Sequence, residues 1–330
     1  MERGARRAWS LLPEPVASSR VAVRARRSAS SLLHRPRVLR TLAELDEMLE
    51  RLDRAGAVSD DELRLGFTTF RMEVDVQMPL DPYSPEYRQA VFDLYEWLHG
   101  GPYTPKNELI PFDLERLSDS PFPYSTHSGP TVGNHLIGVG HVIRTLDLAP
   151  NSRVLEFGPG WGNTTLALAQ MGHQVTAIDI GPNFVDLIRT RARRVNASVE
   201  AMVGDFSMIH DLEDVYDAVL FFESFHHSAD HLDVLAGLER VVAPGGRVLF
   251  AAEPIYKSMA FPWGLRLDGE SLWAIRRNGW LELGFRKSYF LEALQRFGWQ
   301  AHRVACAETK WGEIFVARRA EQGKSSRGRG

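Results

Sequence analysis

The residues best suited to proton chemistry stand together in Glu223-Ser224-Phe225-His226-His227, with Glu253 following 26 positions after the second histidine. Histidine changes charge near neutral pH and can take a proton from a reacting hydroxyl. His227 is the preferred base, His226 the second choice, and Glu253 a group that orients an acceptor or a histidine. The competing reading is that the histidine pair only shapes its loop. Glu223, His226, His227, Asp230, His231 and Glu253 could also be taken for metal ligands, but their spacing is not that of a known site, so no metal is expected.

A second chemical signal precedes this one. Glu156-Phe157-Gly158-Pro159-Gly160-Trp161-Gly162 follows an apolar run and leads into a helical one, the setting a nucleotide loop requires. Glycines there let the backbone turn sharply and approach a ligand closely. Asp179 ends the next apolar run, 23 residues after Glu156. Its carboxylate can accept from ribose hydroxyls. In Val203-Gly204-Asp205-Phe206, Asp205 can accept from an adenine amino group while Phe206 packs on the ring. Ile180 and Glu223, at the ends of neighbouring strands, complete the expected cofactor contacts. Each acid has a plain alternative: a salt bridge for Glu156, a helix cap for Asp179. Their combined order and spacing favour the cofactor.

The sequence of ExGxGxG, Asp179, Gly204-Asp205-Phe206, a strand with His226-His227, and Pro244-Gly245-Gly246 before another strand resembles class I S-adenosylmethionine-dependent methyltransferases over residues 131–317. The resemblance implies that Glu156, Gly158, Gly160 and Gly162 wrap the methionine part of S-adenosyl-L-methionine, that Asp179 holds the ribose, and that Asp205 meets the adenine. It also implies a terminal antiparallel strand pair. A nicotinamide-dependent oxidoreductase is the alternative, but its G-x-G-x-x-G/A pattern would place Asn163 where Gly or Ala belongs. A catalytically inactive cofactor-binding interaction module is the other. Two stretches, Tyr124–Pro130 and Trp263–Glu270, resemble bacterial methyltransferases of polysaccharide assembly. A saccharide hydroxyl is accordingly the leading acceptor, and a small secondary metabolite the second.

These groups need a frame. Strand-like runs at 153–157, 174–179, 198–204, 216–222 and 247–253 alternate with helical stretches at 163–171, 182–195 and 229–241, which predicts a doubly wound, mostly parallel α/β sheet. A helix from Ser288 and two closing strands bring the sheet to seven, the last pair antiparallel across Thr309-Lys310-Trp311. Upstream, Thr41 with Glu44 forms a capping-box pattern, Ser59 starts a second helix, and Ser84-Pro85 starts a third that stops at Gly100-Gly101. Thr131 to Leu146 reads as a helix entering the main domain. Residues 41–130 are therefore expected to form a helical cap, with the irregular 102–130 stretch either lining the substrate site or acting as a connector. Residues 255–286 form a substrate-side insert whose Trp263, Trp273, Trp280, Arg266, Arg276 and Arg277 suit a polar, ring-shaped or anionic acceptor.

The net charge is −3. Residues 1–40 carry ten arginines against Glu2 and Glu14, about +8, which leaves about −11 on the rest. That leader reads as disordered, with a mitochondrial transit peptide or a phosphate-binding arm as alternatives, and residues 318–330 read as a disordered basic tail. An acidic body argues against a nucleic-acid partner. No run is long enough to span a membrane, and the lone Cys306 excludes an internal disulfide framework. The expectation is a bacterial cytoplasmic enzyme, or a mitochondrial one if the leader is a transit peptide, acting on a small molecule and capable of forming a homodimer.

Overall fold

The computed structural model describes residues 36–56, 60–119, 128–309 and 311–320. The leader before residue 36, the start signal at Ser59, the 124–127 part of the glycan-like stretch and the tail after residue 320 lie outside the described residues.

The central sheet is built from seven strands. They are β3 (Arg153–Phe157), β4 (Gln174–Asp179), β5 (Val199–Val203), β6 (Tyr216–Phe222), β7 (Val242–Ala251), β11 (Trp299–Ala305) and β12 (Glu313–Arg319). Its order is β11-β12-β7-β6-β3-β4-β5. β12 runs antiparallel to both β11 and β7, and the other pairs are parallel. A parallel sheet is covered on both faces, so its strands are apolar throughout rather than alternating; in β6, Ala218 through Phe221 are all at 0% exposure. Strand order reverses at β3, which pairs β4 on one side and β6 on the other. A crevice opens beyond the carboxyl ends of the strands at such a reversal.

The chain enters through β1 (Arg37–Leu39), parallel to β2 (Phe70–Met72), with helices α1 (Leu42–Gly56) and α2 (Asp60–Phe67) between them. The Thr41 hydroxyl accepts from the Glu44 amide while Glu44 accepts from the Thr41 amide, both at 3.2 Å, the reciprocal cap the sequence predicts. Helix α3 (Pro85–His99) starts on Ser84 and ends where Gly100 adopts φ 93°. After α4 (Leu114–Asp119) and α5 (Gly129–Leu146), helices α6 (Asn163–Gln170), α7 (Pro182–Arg194) and α8 (His231–Val241) connect the parallel strands. The insert folds as β8 (Ile255–Tyr256), β9 (Trp263–Leu265), α9 (Gly269–Asn278) and β10 (Leu283–Arg286), a small sheet of order β8-β10-β9, before α10 (Lys287–Arg296).

Cap and insert bind each other. Tyr87 donates its hydroxyl to the Trp263 carbonyl, and Trp263 donates its indole N–H to the Pro82 carbonyl, both at 2.8 Å. Arg276 clasps Asp46 with two bonds (2.9 and 3.0 Å), and Arg277 pairs with Asp53 at 2.8 Å. One apolar core runs from Leu45 and Tyr87 through Trp263 and Leu272 to Phe225 and Phe250 on the sheet. The cap is thereby fixed over the crevice by buried surface, the main stabilising term in folding.

Candidate active site

The glycine loop leaves β3 with Gly158 at φ 62° and Gly160 at φ 52°, backbone that side-chain-bearing residues avoid. A Cβ at Gly158 would lie 2.5 Å from the Ser224 Cβ, whereas one at Gly160 would meet nothing within 4 Å, so that peptide faces open space. The loop is tied down by Asp179, which accepts from the Gly160 amide at 3.0 Å and the Gly181 amide at 2.8 Å. Burial raises the Asp179 pKa, and these two donors and the charge of His227 only partly offset it.

A cavity of about 520 Å3 opens at the carboxyl ends of β3, β4, β5 and β6. Of the expected cofactor residues, Phe157, Gly158, Gly160, Asp179, Ile180, Gly204, Asp205, Phe206 and Glu223 line it. Asp205 also caps the 3-10 turn Phe206–His210, accepting from the Ser207 amide at 2.9 Å. Glu223 sits at φ 52°, a strained conformation for a non-glycine residue of the kind that collects at functional sites. Two of the expected residues stand apart from the cavity. Gly162 does not reach the cavity: it packs on α7, where an added Cβ would meet Ile188 at 2.6 Å. Glu156 points beneath the loop, 2% exposed, and accepts the Thr165 hydroxyl bond. Alternation along a strand sends neighbouring side chains to opposite faces, so Phe157 reaches the cavity and Glu156 the interior. Burial lifts the Glu156 pKa to about 7, with Thr165 opposing the rise and Asp179 adding to it.

The histidines separate in the same way. Glu253 is fully buried and saturated with donors: the amides of Ser224 and Phe225 at 2.9 Å, the amide of His226 at 3.1 Å and His226 Nδ1 at 2.8 Å. Burial alone would raise its pKa, but His226 and the amides outweigh it and the pKa is lowered. Neither Glu253 nor His226 lines the cavity; together they clamp the 3-10 turn Phe225–His227 after β6. That clamp presents His227 to the cavity. Burial pushes the His227 pKa down, but Glu108, Glu282 and Glu253 prevail and hold it at about 9. His226, His227 and Glu282 bring potential ligand atoms within 4.8 Å of one another. The Glu282 oxygen nearest His226, at 4.0 Å, is already bound to Arg266 at 3.0 Å, so a cation there would have to displace a guanidinium.

The rest of the cavity comes from segments that the motifs do not reveal. The cap contributes Tyr103, Pro105, Glu108 and Ile110, in line with a substrate-side role for the irregular stretch, and the insert contributes Trp280. The insert's cations do not reach it. Arg266 is paired with Asp268 and Glu282, Arg276 with Asp46 and Arg277 with Asp53. Trp263 is buried at 2%, and Trp273 packs on Phe67. The lining holds six carboxylates (Glu108, Asp179, Asp205, Glu223, Asp230, Asp233), of which Asp230 is paired with Arg88 and Asp233 with His210, and, among the described residues, no Lys or Arg. Only Thr104-Pro105 hints in the sequence at the turn that carries Glu108, and nothing there marks Glu108 as part of the site.

A glycine cradle with an open side, a buried carboxylate facing it and the apolar pair Ile180 and Phe206 fit S-adenosylmethionine, whose sulfonium is at home in an acidic cavity. Residues 155–250 match the family described as a methyltransferase domain. A ubiquinone biosynthesis O-methyltransferase of Xanthomonas oryzae pv. oryzae (strain PXO99A) is 29% identical over 116 residues, 35% of this chain and 48% of that protein. A protein-L-isoaspartate O-methyltransferase of Methylorubrum populi is 32% identical over 143 residues, 43% of this chain and 63% of that protein. A magnesium protoporphyrin IX methyltransferase of Synechocystis PCC 6803, solved with bound SAH, aligns with a TM-score of 0.47 at 19% identity, covering 63% of this chain and 94% of that one. The chain spans about half the length of the Xanthomonas relative. These matches support a class I S-adenosylmethionine-dependent methyltransferase domain around residues 155–250, with S-adenosylmethionine as its cofactor.

Proposed function

We propose that the chain methylates a hydroxyl of a small, uncharged polar molecule, with a saccharide ring as the leading acceptor. The carrying observation is a single cavity that joins the cofactor cradle to His227 and to the aromatic side chains of Tyr103 and Trp280, with no Lys or Arg among its described lining residues. Aromatic faces beside carboxylates suit a ring bearing hydroxyls. The lack of Lys and Arg weighs against the anionic acceptor that the insert's arginines suggest in sequence. The names of the two curated relatives support an oxygen acceptor.

In this reading Asp179 accepts from the ribose hydroxyls, the backbone of Gly158 and Gly160 borders the methionine part, and Ile180, Asp205 and Phe206 border the adenine. Bound S-adenosylmethionine supplies an electrophilic methyl whose C–S bonding pair stays with sulfur as the acceptor oxygen takes the carbon. His227 in its neutral form receives the hydroxyl proton, and the cap residues that line the cavity hold the acceptor in line. The test begins with calorimetric titration of S-adenosylmethionine and NADH. Matched neutral and phosphorylated saccharides are then screened for methyl uptake. Binding of the first ligand only, with uptake by neutral sugars, is expected. Absence of S-adenosylmethionine binding, or uptake confined to phosphorylated acceptors, overturns the reading.

A further inference from the structure

Glu108 lies outside the cofactor domain, in the 3-10 turn Pro105–Glu108 of the cap. That turn is held at both ends. Thr104 donates its amide and hydroxyl to Asn107 Oδ1 at 2.9 and 2.7 Å, and Asn107 meets His99, at the end of α3, at 3.3 Å. The Glu108 side chain is 11% exposed, and its Oε1 accepts from the Leu281 amide of the insert at 2.8 Å. Its Oε2 stands 3.3 Å from His227 Nδ1. The Leu281 amide thus holds one oxygen of the carboxylate while the other stands beside the imidazole. The 3.3 Å separation is an ion-pair distance without hydrogen-bond geometry, and the charge of Glu108 favours a proton on Nδ1, which in the neutral ring leaves Nε2 as the proton acceptor.

We infer that Glu108 is the positioning residue of His227, so that the base is completed only when cap, insert and core are assembled around it. This rests on the reading of His227 as the proton acceptor in methyl transfer. It also places the second half of the base outside residues 155–250, the part that matches the methyltransferase domain. The groups facing His227 are Glu108, Glu282 and Glu253, which favour its charged form, the His226 ring at 4.2 Å, and Asp179 below. Arg266 stands behind Glu282. Glu253 is held by its own donors and one oxygen of Glu282 by Arg266, while Glu108 stands at ion-pair distance from the ring, 3.3 Å.

The test is an NMR titration of histidine-labelled full-length protein, with the His227 signal assigned by His227→Gln. Glu108→Gln keeps an oxygen for the Leu281 amide and removes the charge. The expected result is a His227 midpoint lowered by a unit or more, with S-adenosylmethionine affinity within twofold of wild type. Glu108→Asp, which keeps the charge but withdraws it by a methylene, should restore part of the shift. With an acceptor in hand, the rising limb of kcat/KM, which follows deprotonation of the free enzyme's base and levels off near pH 9 in the wild type, moves to lower pH in Glu108→Gln and plateaus lower. A purely structural role would lower turnover without moving that limb. An unmoved His227 midpoint in folded Glu108→Gln overturns the assignment of Glu108 alone. Full turnover by His227→Gln instead overturns the base reading and this inference with it.

Discussion

The two halves of the cavity are made in opposite ways. The half proposed to hold the cofactor comes from one continuous stretch, Phe157 to Phe206, and relies largely on backbone: glycine turns, amides held by Asp179, and strand ends at the reversal of the sheet. The acceptor half is made of side chains from distant segments, Tyr103 and Glu108 in the cap, His227 after β6 and Trp280 in the insert. A backbone cradle is fixed by topology and tolerates sequence change around it. A side-chain assembly depends on the packing of every segment that contributes to it, which lets acceptor choice vary while the cofactor site stays constant.

The largest expected effect strikes the junction between the halves. Glu253→Ala leaves three buried amides and His226 Nδ1 without their acceptor, and should cost about 3–5 kcal/mol of stability, read as a large fall in the thermal midpoint. A midpoint unchanged from wild type would show that the clamp is not what holds the His227 turn. Next, Asp179→Ala should weaken S-adenosylmethionine binding by about a hundredfold, near 2.7 kcal/mol, in calorimetry. The acceptor KM at saturating cofactor should stay within a few fold, and a parallel rise in that KM would mean the halves are not separable. Trp280→Ala reverses the pattern: acceptor KM rises about tenfold, near 1.4 kcal/mol, and cofactor affinity holds.

The smallest effect falls below the cradle. Glu156→Gln should change cofactor affinity less than twofold, because the side chain does not line the cavity. Its signature is in stability. The folded-state pKa, about 7, is raised above the usual value of 4.5, so the stability that the protonated group contributes is complete below about 4.5 and lost as pH rises to about 7. Wild type should therefore lose thermal stability relative to the variant between pH 5 and pH 8. Parallel curves would mean that the carboxylate is not buried as described.

Much of this was legible in the sequence. The five parallel strands, their connecting helices and the antiparallel closing pair follow from apolar runs and helical periods, and the caps at Thr41 and Ser84 from local hydrogen-bond chemistry. The cofactor half followed for the same reason, since residues close in the chain are also close in space. Glu156 and Gly162 turn away from the cavity, which motif spacing could not show because it does not say which face of a strand or loop a side chain takes. Glu253 and His226 looked catalytic because the sequence puts them near the crevice. Their mutual bond, and the three amides that share it, exist only in the folded chain. Arg276 and Arg277 looked like acceptor ligands because their partners, Asp46 and Asp53, lie more than 200 residues away.

The sequence alone therefore determined the sheet, the glycine cradle and Asp179 beside it, because each rests on local conformational preference and short-range order. The tertiary structure alone decided which histidine meets the cavity, that Glu108 stands beside it, and that the cavity is acidic and free of lysine and arginine among its described residues. Those outcomes depend on long-range packing, which closes some charges against one another and leaves others facing the space between.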